Sequence, residues 1–165
     1  MAQTKLGGST VNTNGTLPVA GSAAPDFSLT GVDLKEVSLK NYEGKNIVMN
    51  IFPSIDTNVC AASVREFNKA VAAIDNTIVL SISKDLPFAM KRFCGVEGIN
   101  KIAMLSDFKA KGFSESYGVE MTDGRLNGLF ARAVVVIAPD GKIKYSELVS
   151  SIDDEPDYEA ALAVL

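Results

Sequence analysis

Histidine is absent from the 165 residues, and cysteine occurs only twice, as Cys60 and Cys94. Without imidazole there is no Cys–His or Ser–His–Asp catalysis and no histidine-containing zinc site. Two cysteines cannot build a disulfide framework, are not spaced as Cys-x-x-Cys, and could form only part of a metal site. If a thiol reacts here, a helix N-terminus and an arginine are the physical means left to activate it. No apolar run approaches the length of a membrane span. Residues 1–8 lack the apolar core of a secretion signal, so a cytoplasmic protein is expected. No basic cluster stands out, and a net charge of −4 gives no electrostatic footprint for nucleic acid. What remains is an ordinary soluble balance, 47% hydrophobic and 22% charged. The length is that of one domain, 1–165, able to bury a real core.

The rest of the chain is organised around Pro53-Ser54-Ile55-Asp56-Thr57-Asn58-Val59-Cys60. Residues 46–52 before it read as a strand, apolar on both faces as a covered central strand would be. Residues 61–74 after it carry apolar side chains at helical spacing. Pro53 ends the strand, because it has no N–H for a ladder and restrains the residue before it. Asp56 and Thr57 are good N-cap residues, with side-chain oxygens able to take a free N–H. Cys60 then falls in the first helical turn, where unpaired N–H groups and the helix dipole favour a thiolate. From these residues alone two readings stand: a small buried apolar residue, or an activated thiol.

Residues 5–18 read as a polar hairpin turning at Asn14-Gly15, and 26–30 as a half-buried strand. After the helix, 77–83 is β-branched and suits a second central strand, making a right-handed βαβ unit with 46–52. A short helix follows, with Asp85 as its cap and Pro87 in its first turn; it carries Cys94 and is ended by Gly95 and Gly98. A strand at 103–106, a helix at 108–117 stopped by Gly118, and a loop at 121–130 come next. Residues 132–138 and 143–149 form a hairpin around Pro139-Asp140-Gly141-Lys142, and a helix closes the chain at 157–165. The order predicts an α/β, thioredoxin-like fold: a mixed central β-sheet flanked by helices, with an N-terminal β-hairpin extension.

Pro-x-x-x-Thr-x-x-Cys on a strand–loop–helix resembles the peroxidatic motif of the peroxiredoxins. The longer run NIFPSIDTNVCAASVREFN, residues 50–68, resembles the thiol peroxidase branch, an atypical two-cysteine group. The segments around Asp85-Leu86-Pro87-Phe88-Ala89 and Arg92-Phe93-Cys94-Gly95 are similar to the part of that family bearing the resolving cysteine. Ala131-Arg132-Ala133 is similar to the position of its active-site arginine. The resemblance implies that Cys60 attacks a hydroperoxide, hydrogen peroxide or an organic one, and becomes a sulfenic acid. Pro53 would shield the site, while Thr57 and Arg132 orient the peroxide. Cys94 would close an intramolecular disulfide, reopened by thioredoxin, with no metal, haem or flavin required. A homodimer is implied as well.

A disulfide needs its two Cα atoms within about 7 Å, so cysteines on two packed helices predict local unwinding on oxidation. Arg65 is the alternative cation, read as a helix-surface residue. Lys109 departs from the family pattern, standing where many relatives carry arginine, and is left outside the site. Two other functions stay open: a disulfide exchanger or redox sensor acting on a protein, and a binding module with inert, buried thiols.

Overall fold

A computed structural model of the chain describes residues 1–98 and 102–165. The elements are β1 (Gln3–Leu6), β2 (Ser9–Asn12), β3 (Ser28–Gly31), β4 (Glu36–Ser38), β5 (Asn46–Ile51) and α1 (Asn58–Ala70). They continue with β6 (Thr77–Ser83), α2 (Pro87–Glu97), β7 (Ile102–Ser106), α3 (Phe113–Tyr117), β8 (Ala133–Ile137), β9 (Ile143–Leu148) and α4 (Tyr158–Leu162). One sheet runs β4-β3-β7-β6-β5-β8-β9, and β1-β2 form a separate hairpin. β5, β6 and β7 pair in parallel, while β8, β9, β3 and β4 add antiparallel neighbours, so the sheet is mixed as expected.

Strand periodicity sorts the core into two layers. Ile47, Met49 and Ile51 of β5, with Ala133, Val135 and Ile137 of β8, meet Phe113 and Tyr117 of α3. The alternate residues Val48, Val134 and Val136 meet Val64 and Phe67 of α1, Met90 of α2 and Ala161 of α4. Helices therefore cover both faces, and β5 lies buried between them.

Three local expectations are corrected. The N-terminal hairpin turns at Gly7-Gly8, both at positive φ (+56° and +84°), rather than at Asn14-Gly15. Two consecutive positive φ values suit a tight hairpin, and only glycine takes them without cost. Asn14 instead donates its N–H to Glu120 O, against the turn at Gly118. A Cβ on Gly118 would stand 2.4 Å from Thr16 N, so that contact excludes any side chain. The helix expected at 108–117 shortens to α3, because Ala110 (φ +52°) and Gly112 (φ +95°) interrupt it. α2 passes through Gly95 and ends only at Gly98, in the left-handed conformation.

Asp107, just past β7, is buried, and neither of its carboxylate oxygens has a well-formed hydrogen bond among the described residues, the nearby Lys111 N–H opposing the rise of its pKa only weakly. Burial pushes its carboxyl up to about 6 from 3.8, with Lys84 opposing and Glu115 and Glu120 adding to the shift. The folded chain thus holds this proton more tightly than the unfolded chain, and stability falls as pH rises through that window. Asp107→Asn is expected to flatten the urea-unfolding free energy between pH 4 and pH 6.5, removing a decline on the order of 1–3 kcal/mol. An unchanged slope in the variant would assign the decline to other groups.

Candidate active site

β5 ends at Ile51, and Phe52 and Pro53 carry the chain off the sheet into the turn at 54–57. Thr57 occupies the N-cap of α1 with extended backbone (φ −95°, ψ 149°). The first helical bond runs from Ala61 N–H to Thr57 O at 3.0 Å. Cys60 therefore lies in the first turn, as expected, among N–H groups that the helix itself cannot pair. The capping expectation is corrected: the Thr57 side chain makes no cap bond. Its hydroxyl donates to Ser54 O at 3.0 Å, and Thr57 N–H donates to the same oxygen at 3.2 Å. With its proton committed, the hydroxyl presents lone pairs as an acceptor. Asp56 does not cap either; it faces Arg92 at 3.4 Å on the surface.

Cys60 is fully buried among Val48, Phe52, Ile55 and Val64. A buried polar chain fixes its backbone from below. Asn50 of β5 donates to Ser63 Oγ at 3.1 Å, and Ser63 Oγ donates to Cys60 O at 2.7 Å.

Arg132 directly precedes β8, whose Ala133 pairs with Ile51 at the end of β5. That register brings a residue from the far half of the chain to the strand end that feeds the Cys60 turn. Its side chain is 1% exposed. Nε donates to Ile152 O at 3.0 Å, while Nη1 is buried with no partner among the described residues. Among those residues it has no carboxylate in ion-pair contact. A buried charge with no carboxylate in contact is costly, so the free Nη1 is suited to an anion or a polar oxygen in the space beside it. Arg132 opens onto a cavity of about 250 Å³, lined also by Pro53, Thr57, Asn58, Val59, Ile152 and Asp153, whose carboxylate accepts from Gly7 N–H and makes no ion pair with the guanidinium. Cys60 is not itself a lining residue; it follows Val59 directly. A larger cavity, about 350 Å³, lies by Tyr42 and Lys45 at the opposite end of β5 and is lined by neither cysteine.

Cys94 stands apart from that cavity. It is half-buried on α2, packs with Phe93 against the apolar cluster containing Cys60, and burial pushes its thiol pKa up. Both cysteines are free. α1 and α2 are joined by Arg65, whose Nε and Nη2 each meet a Glu97 oxygen at 2.9 Å, with its guanidinium 5.8 Å from the Phe93 ring centroid. Arg65 is thus a helix-surface residue clasping α2. Lys109 Nζ lies 5.8 Å from the Phe108 ring centroid, outside the residues that line the cavity.

Asp85 has a role that the sequence does not reveal. It does not cap α2; Leu86 holds the N-cap and Pro87 opens the helix. Its carboxylate instead accepts from Ser54 Oγ (2.7 Å), Ile55 N–H (2.7 Å) and Ser83 Oγ (2.6 Å). Ser54 and Ile55 lie 31 and 30 positions earlier, beyond the reach of any local pattern.

A cysteine opening the helix after a central strand of a thioredoxin-like sheet defines a thiol-based oxidoreductase. The model of the redoxin family matches residues 19–162. A thiol peroxidase of Mycobacterium tuberculosis is 54% identical over 165 residues, covering 100% of this chain and 99% of that one. A thiol peroxidase of Corynebacterium glutamicum is 48% identical over the same coverage. The crystal structure of a peroxiredoxin-like protein from Aquifex aeolicus superposes with a TM-score of 0.92 at 36% identity, over 98% of this chain and 95% of that one. The chain belongs to the redoxin family and is a thiol-dependent peroxidase of the peroxiredoxin type.

The unpaired guanidinium gives a test that needs no substrate. Replacing a buried ion pair by well-packed apolar side chains is often neutral or stabilising, and a charge without a paired partner has less Coulombic attraction to lose. Arg132→Met is expected to hold urea stability or raise it, by up to about 2 kcal/mol. A loss of about 3 kcal/mol or more would instead mark Arg132 as a structural anchor of the 152 segment.

Proposed function

We propose that Cys60 is the peroxidatic thiolate and Cys94 the resolving thiol of an intramolecular cycle. The observation that carries this reading is Arg132, a buried guanidinium with Nη1 unpartnered and no ion pair among the described residues, opening on the cavity that Pro53 and Thr57 also line. The Cys60 thiolate sulfur attacks the terminal oxygen of a hydroperoxide. The O–O bond breaks, an S–O bond forms, and the departing alkoxide or hydroxide takes up a proton to leave as alcohol or water. Arg132 holds the peroxide oxygens and offsets the charge that gathers on the leaving one. Thr57 accepts a hydrogen bond from the peroxide O–H, and Pro53 keeps water from that side. The Cys94 sulfur then displaces hydroxide from the Cys60 sulfenic acid, giving a disulfide and one water. A dithiol of the thioredoxin type reduces that disulfide and becomes oxidised itself.

Cys60 is fully buried and follows the cavity-lining Val59, so a folded protein's disulfide cannot reach its sulfur without a rearrangement of the turn. That counts against the disulfide exchanger. Closing the disulfide separates residues 58–60 or the Cys94 turn from their helices and opens the Arg65–Glu97 clasp. Each chain works as one domain, in the cytoplasm, on organic hydroperoxides as well as hydrogen peroxide. Among the described residues no helix is long and apolar enough to cross a membrane.

A homodimer is part of the proposal. Leu86, Phe88 and Phe108 stand exposed on segments drawn together where Ser106 Oγ donates to Asp85 O and Phe108 N–H donates to Ser106 Oγ. Such an apolar patch is a fitting surface for a second copy. Phe88→Glu is expected to convert a dimer to a monomer in sedimentation velocity; an unchanged dimer would place the interface elsewhere.

The cycle itself is tested by intact mass and free-thiol count after one equivalent of cumene hydroperoxide. Wild type is expected to lose both thiols, become two hydrogens lighter and show no linked dimer. Cys94→Ser is expected to trap one added oxygen on Cys60. Survival of both thiols would overturn the reading.

A further inference from the structure

Asp85 places a carboxylate where the ends of three adjacent strands converge. Ser83 closes β6, Ser54 and Ile55 follow β5, and Ser106 closes β7. The three bonds that its side chain accepts, at 2.6–2.7 Å, come from the first two of these segments. They are short, charge-assisted contacts, stronger than hydrogen bonds between neutral groups. The third segment holds the anchor itself, since Ser106 Oγ donates to the Asp85 carbonyl. Capping does not explain the position, because Leu86 caps α2 and the carboxylate turns away from that helix toward the 54–57 turn.

What the carboxylate holds is the residue on which Thr57 depends. Ser54 is fixed through its hydroxyl, and its carbonyl accepts both the N–H and the hydroxyl proton of Thr57. Ser54 Oγ also accepts from Asp56 N–H at 3.2 Å, closing the turn between them. The direction of the Thr57 lone pairs is therefore set by a relay: Asp85 to Ser54, Ser54 to Thr57. Ile55 is tied down by its N–H on one side and by its burial in the α1 core layer on the other.

We propose that Asp85 is the positioning residue of the peroxide step: its carboxylate fixes the Ser54–Thr57 turn and so aims the Thr57 hydroxyl into the Arg132 cavity. The inference rests on the role given to Thr57 in the proposed cycle. It adds a residue from the loop that leads into the Cys94 helix, so the segment that later yields the resolving thiol also holds the peroxide site in register. Asp85 touches neither peroxide nor sulfur, and acts only through the turn.

The test is a double-mutant cycle on the second-order rate of Cys60 oxidation by cumene hydroperoxide. Remaining thiol is trapped by alkylation at 25 °C and read by mass, beside a thermal melt of each variant. Asp85→Ala is expected to slow this step about 10–100-fold at a temperature where the protein is still fully folded. Asp85→Asn retains an acceptor for Ile55 N–H, and the serine hydroxyls can reverse, so it is expected to recover most of that loss. In a Thr57→Val background, Asp85→Ala is expected to cost no more than about twofold further, because its effect passes through the missing hydroxyl. A full multiplicative loss in that background, or a wild-type rate for Asp85→Ala, would overturn the inference while leaving the role of Thr57 intact. A wild-type rate for Thr57→Val alone would remove the reading on which it rests. If Asp85→Ala does not fold, Ser54→Ala removes only the hydroxyl arm of the relay. It must then show the same dependence on Thr57, and independence would equally overturn the inference.

Discussion

A buried positive charge with no carboxylate in ion-pair contact among the described residues is the constraint from which the rest of the molecule follows. Arg132 spends one nitrogen on a backbone carbonyl and leaves Nη1 unpartnered beside a cavity. A fold selected for stability alone would put an apolar side chain there. The charge is tolerable because the surrounding sheet is rigid and thoroughly packed, with every residue of β8 buried. Antiparallel pairing of Ala133 with Ile51 sets Arg132 at the end of β5, where the chain leaves for α1. The helix brings unpaired N–H groups to the same place. Two sources of positive potential thus meet at one strand end, and neither is a histidine.

Packing around the two thiols is unequal, and that inequality bears on the proposed disulfide. α1 buries Cys60, Ala61, Ser63, Val64 and Phe67, whereas α2 buries only Pro87 and Met90. Beyond Cys94 the last turn of α2 holds an exposed Val96 and the glycine at its end. Little apolar burial is lost if that turn opens. The Arg65–Glu97 clasp is bidentate but solvent-exposed, a kind of pair that adds little to stability. In the proposed cycle α2 is therefore the element that yields first. Cys60 is held more firmly, with its carbonyl fixed through Ser63 to Asn50. A thiol that must wait in a defined geometry sits on the stiffer helix, and the thiol that must travel sits on the softer one.

The central strands were legible in the sequence because they are covered on both faces: β6 appears over the expected 77–83, and β5 and β8 within a residue or two. The position of Cys60 followed from one proline and one helical period. The N-terminal hairpin departs from the expected turn because, although Asn-Gly is a strong local turn signal, the consecutive glycines at 7 and 8 win through backbone freedom. The helix at 108–117 was overextended because positive φ at Ala110 carries no mark in an alanine. Thr57 was recognised as an N-cap, yet its hydroxyl serves the turn behind it rather than the helix ahead. That choice depends on Ser54, whose own position depends on Asp85. Such a chain of dependence is tertiary, and no window of sequence contains it.

Arg132 and Asp85 differ instructively in this respect. The arginine could be singled out because its neighbours resemble a known motif and a charge before an apolar strand is conspicuous. For the aspartate the most economical local rule, an acidic residue before Pro87 capping the helix, predicts the wrong partner. An N-cap bond to α2 would have satisfied one N–H. The bonds actually formed join β6 to the turn after β5, and the Asp85 carbonyl adds the end of β7. The local alternative loses because Ile55 N–H and two serine hydroxyls, partly or wholly removed from water, would otherwise go unmatched at considerable cost. Satisfying buried donors outweighs capping an exposed helix start, whose N–H groups water can serve. The same accounting leaves the first turn of α1 without a side-chain cap, and its N–H groups free of side-chain partners in the turn that the proposed cycle assigns to the reacting thiol.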